Sequence, residues 1–572
     1  MPDIVFLVLR RLRRPLLVLI TAYAISTLGF TLIPGVDDQG NPWRMDFFHA
    51  FYFVSFMGST IGFGELPYPF TAAQRFWTLF SIYLTVISWL YAIGAIITII
   101  QDQRLRRVIA TVRFARTVRA WREPFFIVCG YGDTGHLIVA ELAEHGYAAT
   151  VIDIDEERIH LLAIEDLPVF SPGLEADARD TSALLAAGLR NPHCQGVIAV
   201  TDEDGTNLKI AITCKLLRPA LKVYCRAETR EAAANMASFG TDSITNPFET
   251  FAERFSLLFH SPGMYLVHEW ITSPHNEPLS EFITPPRGKW LLCGYGRFGK
   301  ALHARLQQLG MPVQVIENDP GRTHPPEGSL RGTGTEAHTL IEAGIHTAAG
   351  VIAGTDDDTN NLSILMTAHD LRHDLFKVAR QNETRNESLF RSAPIDRVMQ
   401  PSRILAENIL AEILAPLLRE FLRLAAEKDE AWANLLVSRV SGVVEDRAHD
   451  TWILRLDREE APALLQQMQE GREIRIEHLL TDPHDPAQRL RCVPLLLHRD
   501  NMGRLLPEES TRLLHKDQLL FCGLPEAEDA MRLLAGNYNM LNYLVTGEDR
   551  PAGIVWQWLA RHRRRAISRE AQ

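Results

Sequence analysis

Two long apolar segments near the N-terminus restrict the folds open to this chain more than any other feature. They run from Pro15 to Pro34 and from Phe76 to Ile100, and neither contains a charged side chain. A helix of about 20 such residues crosses the hydrocarbon core of a bilayer. Both segments are therefore predicted to span a membrane. After about residue 125 the composition is that of a water-soluble protein, so a larger soluble portion should follow.

Positive charge flanks both apolar segments on their outer sides. The arginines concerned are Arg10, Arg11, Arg13, Arg14, Arg104, Arg106 and Arg107. Because cytoplasmic flanks of membrane spans are enriched in Lys and Arg, we expect a multi-pass protein of the cell (inner) membrane. Both termini and the soluble portion should be cytoplasmic. A cleaved signal peptide is the alternative for the first segment, but its apolar run is long and lacks a small-residue cleavage site.

Charge and cysteine usage narrow the function classes. The 572-residue chain has a formal net charge of −11, which argues against a nucleic-acid partner. Its seven cysteines include no CxxC pair, and an odd number suits reduced, buried thiols in a cytosolic setting.

The sequence between the two spans predicts a short helix followed by irregular backbone. "DFFHAFYFVSFMG" (residues 46–58) has Asp46 as a candidate N-cap and is long enough to enter the membrane and stop halfway. "MGSTIGFGEL" (57–66) then contains three glycines. Irregular backbone at membrane depth is tolerated only inside protein or beside water. Rings of backbone carbonyls can replace the hydration shell of K⁺.

Thr60-Ile61-Gly62-Phe63-Gly64 resembles the selectivity filter of potassium channels, whose pattern is Thr-Val/Ile-Gly-Tyr/Phe-Gly after a pore helix. The resemblance implies that K⁺ is the permeant ion. Its ligands would be the backbone oxygens of these residues and the Thr60 side chain. One filter per chain implies a homotetramer. This sequence departs from the family in having Glu65 where Asp is usual and Phe63 where Tyr is commoner.

Three hydroxyl side chains lie on one face of the second span. Ser81, Thr85 and Ser88 are spaced i, i+4 and i+7, so a helix places them together. We expect this face to line a water-filled cavity below the filter. The alternative is that the hydroxyls bond back to carbonyls of their own helix.

The soluble portion opens with a nucleotide-binding pattern. "FFIVCGYGDTGHLIVAELAEHGYAATVIDIDEER" contains an apolar strand, Gly130-x-Gly132-x-x-Gly135, a helix and a second strand ending at Asp153. Such glycines allow a tight turn and the close approach of a pyrophosphate to the helix N-terminus. The acid can bind ribose hydroxyls and would repel a 2′-phosphate, which disfavours NADP.

The pattern recurs 164 residues later (294 − 130), with Gly294-x-Gly296-x-x-Gly299 and Glu317. Further pairs share an offset of 154 (356 − 202), among them Asp202 with Asp356 and Arg226 with Arg380. The first copy therefore carries a net insertion, and the soluble portion is predicted to contain a duplicated, doubly wound Rossmann-like unit.

This tandem pattern resembles the RCK (regulator of K⁺ conductance) family over about residues 124–525. The resemblance implies a regulatory nucleotide, NAD or an adenine nucleotide. The first copy is the better candidate, because it keeps Asp177 where the second has Thr333. The helices after Asn246 and from Pro401 resemble the family's crossover helices. The implied nucleotide-binding residues are Gly130, Tyr131, Gly132, Asp133, Thr134, Gly135, Asp153, Asp177, Arg226, Gly294, Tyr295, Gly296, Arg297, Phe298, Gly299, Glu317 and Arg380.

The predicted fold is a membrane α-helical pore followed by two α/β Rossmann-like RCK domains and a small C-terminal α/β lobe. The pore has two transmembrane helices and a re-entrant pore helix. The predicted domains are the pore at 1–100 (outer helix 15–34, pore helix and filter 46–65, inner helix 76–100), a linker at 101–123, the first RCK domain at 124–285, the second nucleotide lobe with crossover helices at 286–436, and the C-terminal RCK lobe and tail at 437–572.

These features predict a ligand-gated potassium channel rather than an enzyme. Asp202, Glu228 and the acids at 356–358 suit Ca²⁺ or Mg²⁺, so a regulatory divalent cation is an open alternative to a solvated acidic loop. A membrane-anchored NAD-dependent oxidoreductase is the alternative function. The sequence shows no His, Lys and Tyr constellation of the kind that such an enzyme needs beside the nicotinamide.

Overall fold

The computed structural model describes residues 2–62, 64–65, 67–272, 284–444 and 449–547, with the backbone alone at 2–11 and 103–106. Phe63 of the predicted filter and the tail from residue 548 lie outside these ranges. The chain divides into two compact units. Residues up to 122, with the short segments 173–175 and 182–188, form the first unit, and the remaining described residues form the second.

The secondary structure alternates between helices and short strands beyond residue 122. The helices are α1 Pro2–Leu32, α2 Phe47–Gly58, α3 Ala72–Gln101, α4 Gln103–Ala120, α5 Asp133–Glu144, α6 Glu156–Ile164, α7 Thr181–Ala186, α8 Asp204–Leu217, α9 Arg230–Ser238, α10 Pro247–His260, α11 Pro262–Thr272, α12 Arg297–Gln308, α13 Pro320–Thr323, α14 Ala337–Glu342, α15 Asp358–Leu371, α16 Glu387–Ser392, α17 Pro401–Leu414, α18 Pro416–Ala425, α19 Glu430–Val444, α20 Pro462–Gln469, α21 Ile476–Leu479, α22 Pro525–Gly536 and α23 Tyr538–Thr546. The strands are β1 Pro34–Val36, β2 Pro42–Arg44, β3 Phe125–Cys129, β4 Ala148–Asp153, β5 Gly173–Glu175, β6 Cys194–Ala199, β7 Lys222–Arg226, β8 Ser243–Thr245, β9 Trp290–Cys293, β10 Val313–Glu317, β11 Leu330–Arg331, β12 Gly350–Ala353, β13 Phe376–Arg380, β14 Arg397–Met399, β15 Asp450–Arg455, β16 Cys492–Arg499, β17 Met502–Leu505 and β18 Gln518–Gly523.

The two predicted spans fall on α1 and α3, the two helices in the described residues that are long and apolar enough to cross a bilayer. α1 starts well before the predicted position and contains Pro15 in its interior. The apolar run predicts which residues can lie in the hydrocarbon core of a bilayer. It does not predict the first residue of the helix, which is Pro2. α3 starts at Ala72 because the Thr71 side chain accepts from the backbone N–H of Gln74 and forms a capping box with that residue.

The hydroxyl face of α3 packs against protein within the first unit. Ser81 and Thr85 are fully buried, and Ser88 is 3% exposed. Thr85 Oγ1 donates to the Ser81 carbonyl at 2.7 Å, and Ser88 Oγ donates to the Leu84 carbonyl at 2.6 Å. α3 packs along α1, where Ser26 and Thr27 are also buried. The prediction that this face lines an aqueous cavity is wrong, because the face is buried and the Thr85 and Ser88 hydroxyls bond back to carbonyls of their own helix. Small hydroxyl residues also let two membrane helices approach closely.

Each copy of the duplicated unit forms a parallel sheet. Five strands of the first sheet run in the order β4-β3-β6-β7-β8, and the second sheet has the order β11-β10-β9-β12-β13-β14. Strand pairing within each of these series is parallel. The shared strand order confirms the duplicated Rossmann-like fold that the repeated motifs predict.

The two copies exchange their crossover helices. α10, which follows the first sheet, buries Phe248, Phe255 and Leu258 in the core of the second copy. α17, which follows the second sheet, buries Leu405 and Ile409 in the core of the first copy. Asn246 caps α10 by accepting from the N–H groups of residues 248 and 249. The exchange makes the two copies interdependent for folding.

A four-stranded antiparallel sheet of order β15-β18-β16-β17 forms the C-terminal lobe. One of its faces packs on a core that includes Trp270 of α11, Phe421 of α18 and Leu436 of α19. α19 crosses the predicted boundary between residues 436 and 437. Its buried side chains, including Val440 and Val444, belong to the same core.

Candidate potassium pore and nucleotide site

The pore helix and the loop after it have the local geometry of a re-entrant segment. Asp46 caps α2 by accepting from the backbone N–H of His49 at 2.8 Å. Beyond the helix, every second described residue has a positive φ: Thr60 (63°), Gly62 (67°) and Gly64 (99°). Gly62 and Gly64 reach the left-handed region without the steric cost that a Cβ would impose. This alternation re-orients successive peptide groups, as a ring of oxygen ligands requires.

An ion pair joins the end of the candidate filter to the start of α3. Arg75 Nε donates to Glu65 Oε1 at 2.8 Å, and Arg75 Nη2 donates to Glu65 Oε2 at 3.1 Å. The same carboxylate accepts from the backbone N–H of Phe70 at 2.8 Å. Glu65, which the sequence shows only as a departure from Asp, therefore fixes the loop after the candidate filter to the first turn of α3.

The first glycine loop is built as its motif predicts. Gly130, with φ of 100°, turns the chain from β3 toward α5. A Cβ on Gly135 would lie 2.0 Å from the Gly130 carbonyl oxygen, so only glycine allows this approach. Asp153 at the end of β4 accepts from the backbone N–H of Tyr131 at 2.5 Å and from that of Asp155 at 2.8 Å. The N-terminus of α5 is thus fixed beside a carboxylate.

A cavity of about 860 Å³ opens at this loop, within the range of about 300–1,000 Å³ that is usual for small-molecule sites. The predicted first-copy residues that line it are Gly130, Tyr131, Gly132, Asp133, Thr134, Asp153, Asp177 and Arg226. Gly135 lies beneath the loop. Hydrogen bonding from Arg179 lowers the pKa of Asp177, so this carboxylate is ionised at neutral pH. The cavity therefore combines the N-terminus of α5 with acidic side chains, a pairing that suits a nucleotide's phosphates and ribose.

The second copy closes the far side of the first cavity. This side of the cavity is lined by the last residue of β13 and by residues that follow it, together with Phe248 of α10. They are Arg380, Asn382, Glu383 and Arg385. Burial lowers the pKa of Arg380 to about 10, which keeps the guanidinium charged at neutral pH. Its guanidinium carbon lies 5.0 Å from the ring centroid of Phe248. Arg380, predicted from its equivalence to Arg226, thus faces the nucleotide loop of the other copy.

Arg226 is held by two of the acids whose chemistry suits a divalent cation. Its Nη1 lies 2.8 Å from Asp202 Oδ1, and its Nη2 pairs with Glu228. The Arg226 side chain is 15% exposed, so the guanidinium lies at the cavity wall rather than in solvent.

The second glycine loop has the same backbone but different surroundings. Glu317 accepts from the backbone N–H of Tyr295 at 2.5 Å, as Asp153 does in the first copy. Arg297, at the start of α12, forms an ion pair with Glu228 of the first copy. Phe298 is fully buried and packs 5.6 Å from Phe251 of α10, measured between ring centroids. The loop predicted from Gly294, Gly296 and Gly299 is therefore engaged with first-copy side chains.

Comparison with known proteins assigns both parts of the chain. The model of the ion channel family ("Ion channel") matches residues 16–102, and that of the TrkA-N domain matches residues 126–247 and 290–401. Potassium channel protein 1 of Methanocaldococcus jannaschii is 24% identical over 239 residues, or 42% of this chain and 70% of that protein. Probable potassium channel protein 2 of the same organism is 23% identical over 248 residues, or 43% and 67%. The chain belongs to the prokaryotic potassium channels with RCK domains.

Among solved structures, the GsuK channel bound to NAD is similar to this channel at 14% sequence identity and a TM-score of 0.45. The similarity covers 93% of this chain and 99% of that chain. The two TrkA-N matches fall on the two Rossmann-like units of the channel, one on each.

Sequence reasoning missed several residues at the candidate sites of the channel, and three of them, Arg75, Glu165 and Thr384, illustrate why. Arg75 holds the loop after the filter, as described above. Glu165 accepts from the Tyr131 hydroxyl at 2.5 Å and lies 2.8 Å from His136 Nε2, at the edge of the first cavity. Thr384 of the second copy contacts Asp133, although 251 residues separate them. Short-range patterns carry no signal for these contacts.

Four of the five acids suggested for a divalent cation, Asp202, Glu228, Asp357 and Asp358, have other partners in the channel. The carboxylate of Asp357 caps α15 by accepting from the N–H of Asn360 at 2.8 Å. Asp358 accepts from the N–H groups of Asn382 and Glu383 at 2.6 and 3.1 Å. Over the residues that the structure describes, no group of three or more His, Cys, Asp or Glu side chains is arranged to hold a metal ion.

Proposed function

We propose that four copies of this chain form a K⁺-selective pore whose filter is Thr60 to Gly64 and whose opening depends on a nucleotide. Positive φ values at residues 60, 62 and 64 support the assignment of the filter. Closure of a ring of oxygen ligands needs several chains, and four is the number in potassium filters. In this arrangement the chain is a homotetramer of the cell membrane, with both termini and the RCK domains in the cytoplasm.

The first-copy cavity is the proposed nucleotide site, and its construction is the observation that carries the proposal. The glycine loop, the α5 N-terminus and Asp153 meet in one cavity of about 860 Å³. The phosphates would lie against the α5 N-terminus, with Arg226 and Arg380 at the wall, and Asp153 would face the ribose. NAD or an adenine nucleotide fits this arrangement better than NADP, because Asp153 would repel a 2′-phosphate.

The nucleotide would act on the relation between the two copies. One wall of the cavity comes from the first copy, and the far side comes from residues 380–385 of the second. A ligand that contacts both sides binds one arrangement of the copies better than another, which is the condition for shifting a conformational equilibrium. We propose that α4, which follows α3 directly after Asp102, transmits this change to the inner helix.

Divalent cations are outside the proposal, since Asp202, Glu228, Asp357 and Asp358 are engaged with arginine or backbone N–H groups.

Flux measurements on purified protein in liposomes test the function. We expect K⁺ to pass well ahead of Na⁺, and NAD or an adenine nucleotide added to the RCK side to change the K⁺ flux. Calorimetry with NAD, NADH, ADP, ATP and NADP identifies the ligand. Equal K⁺ and Na⁺ fluxes would contradict the pore assignment, and binding of none of the five would contradict the nucleotide site. Reduction of NAD by the protein with a candidate substrate would instead favour the oxidoreductase.

A further inference from the structure

A second cavity, of about 290 Å³, lies between the exchanged crossover helices. Its walls come from α10 and α11 on one side and from β14, α17 and the residues between them on the other. None of the residues around it lines the nucleotide cavity. Because α10 follows the first sheet and α17 follows the second, this cavity lies where the two copies meet.

Among the described residues that line this cavity, positive charge is in excess. Three arginines, Arg254, Arg397 and Arg403, face two acids, Glu269 and Glu407. Glu407 binds two of the arginines: its Oε2 lies 3.3 Å from Arg254 Nη1, and its Oε1 lies 3.0 Å from Arg403 Nε. The formal charge of these five side chains is +1.

Two neighbouring groups do not change this balance. Burial, together with the nearby Arg254 guanidinium, lowers the pKa of His268, so this imidazole is neutral at neutral pH. The Tyr265 hydroxyl donates to Glu269 Oε1 at 3.2 Å and so uses part of that carboxylate. The excess positive charge therefore persists at neutral pH.

Arg397 presents two unused donors on one edge of its guanidinium. Its Nη1 donates to the Asp396 carbonyl at 3.0 Å, and its guanidinium carbon lies 5.7 Å from the ring centroid of Tyr265. Its Nε and Nη2 are buried and have no acceptor among the described residues. These two nitrogens form one edge of the guanidinium, the edge that pairs with two oxygens of a carboxylate or phosphate. Leaving such a charged edge buried and unpaired is unfavourable.

We propose that this cavity binds a small oxyanion, a carboxylate or a phosphate, through the Nε–Nη2 edge of Arg397. The cavity volume lies at the lower limit for organic ligands, which excludes a nucleotide. Phe251, Phe255 and Leu258 supply apolar wall beside the charged edge. The position equivalent to Arg397 in the first copy is Ser243 (397 − 154), so the first copy has no counterpart of this arginine. An anion held here would contact elements of both copies.

Calorimetry on the full-length protein in detergent and chloride buffer tests the site, with sodium phosphate and sodium acetate as separate titrants. We expect one of them to bind at one site per chain, and which one binds distinguishes a phosphate from a carboxylate ligand. Arg397→Met removes the edge and should weaken binding more than tenfold. Arg397→Lys keeps the charge without the edge and should bind with intermediate affinity. Arg391→Met is the matched control on the neighbouring α16 and should bind like the wild type, because the Arg391 side chain is 79% exposed. Binding of neither anion, or equal binding by Arg397→Met, would overturn the proposal.

Thermal unfolding gives an independent readout if the variant binds nothing. In the chloride buffer without phosphate or acetate, Arg397→Met should unfold at or above the wild-type midpoint, because the substitution removes a buried, unpaired charge. The titrated anion should raise the midpoint of the wild type and not that of Arg397→Met. An Arg397→Met midpoint well below that of the wild type without anion would show that Arg397 already has a partner, and would overturn the proposal.

Discussion

Asp133 in the first glycine loop accepts two hydrogen bonds from Thr384 of the second copy, from its backbone N–H and from its hydroxyl, each at 2.8 Å. The equivalent contact in the other direction is the ion pair of Arg297 with Glu228. The first turn of α5 is thus bound to the segment after β13, and the first turn of α12 is bound to the segment after β7. Each copy in this way holds the helix that follows the other copy's glycine loop. The two fastenings differ in charge, which makes the two copies chemically distinct.

Replacing Asp133 with alanine should weaken the coupling between nucleotide and pore. A hydrogen bond to a charged group contributes about 1.5–3 kcal/mol, so losing this pair should reduce the ligand's effect on K⁺ flux by about tenfold. The measurement is nucleotide-dependent flux in liposomes, with nucleotide affinity determined in parallel. Asp166→Ala, at an exposed position of the same copy, is the control. An unchanged ligand effect in Asp133→Ala would show that the contact does not couple the two copies.

Gly62→Ala should abolish K⁺ current while the soluble portion still folds. Gly62 has a φ of 67°, where a Cβ costs about 1–2 kcal/mol. Relaxation of that strain would turn a carbonyl away from the ion path. Gly40→Ala is the matched control, because Gly40 also has a positive φ (83°) but lies between β1 and β2. Current from Gly62→Ala at the wild-type level would count against the filter assignment.

Asp153→Ala should lower nucleotide affinity at least tenfold, and Glu317→Ala should change it little. The two carboxylates hold their glycine loops in the same way, so the comparison cancels that structural role. The difference reports contact with the ribose, which the cavity at the first copy favours. Calorimetry with the preferred nucleotide measures both. A larger loss with Glu317→Ala would move the site to the second copy.

The Glu65–Arg75 pair should behave as a unit. Glu65→Gln and Arg75→Gln each leave a partner unpaired beside the filter, so each should reduce K⁺ current or its selectivity over Na⁺. The double substitution should be no worse than either single one, which a double-mutant cycle of K⁺ currents reveals. Additive losses would mean that the two side chains act separately.

Stability should fall in mild acid, in part through His303. This side chain is 7% exposed, and its burial lowers the pKa of the imidazole. Above a pH of about 6.5 the ring is neutral in both states. Below it the unfolded chain binds a proton that the folded chain does not, so stability is lost by up to about 1.4 kcal/mol per pH unit.

His303→Gln should therefore flatten the decline of the thermal midpoint between pH 7 and pH 5. His160→Gln, at an exposed position, should keep the wild-type slope. Equal slopes for His303→Gln and the wild type would contradict this account.

The repeated motifs determine a large part of the fold because each is complete within about 30 residues. An uncharged apolar run, an Asp that caps α2, and a strand, glycine loop and helix ending in an acid are all short-range patterns. Each pattern meets a local requirement of the backbone. The apolar run has the length needed to cross a membrane, the Asp pairs with an otherwise unpaired N–H at the start of α2, and Gly135 allows the close approach of the loop. The spans, the pore helix and both glycine loops could therefore be predicted from the sequence.

Only the tertiary structure determines which faces of these helices and strands are buried and which residues they contact. Ser81, Thr85 and Ser88 form a hydroxyl stripe whether it faces water or another helix, and the structure buries it. The sequence likewise predicts that Arg380 lies near the glycine loop of its own, second copy. In the structure, Arg380 lines the cavity at the glycine loop of the first copy. Contacts such as Asp133 with Thr384 join residues 251 positions apart, which no local pattern encodes. They exist because each crossover helix buries its apolar face on the opposite copy, which brings the two copies together.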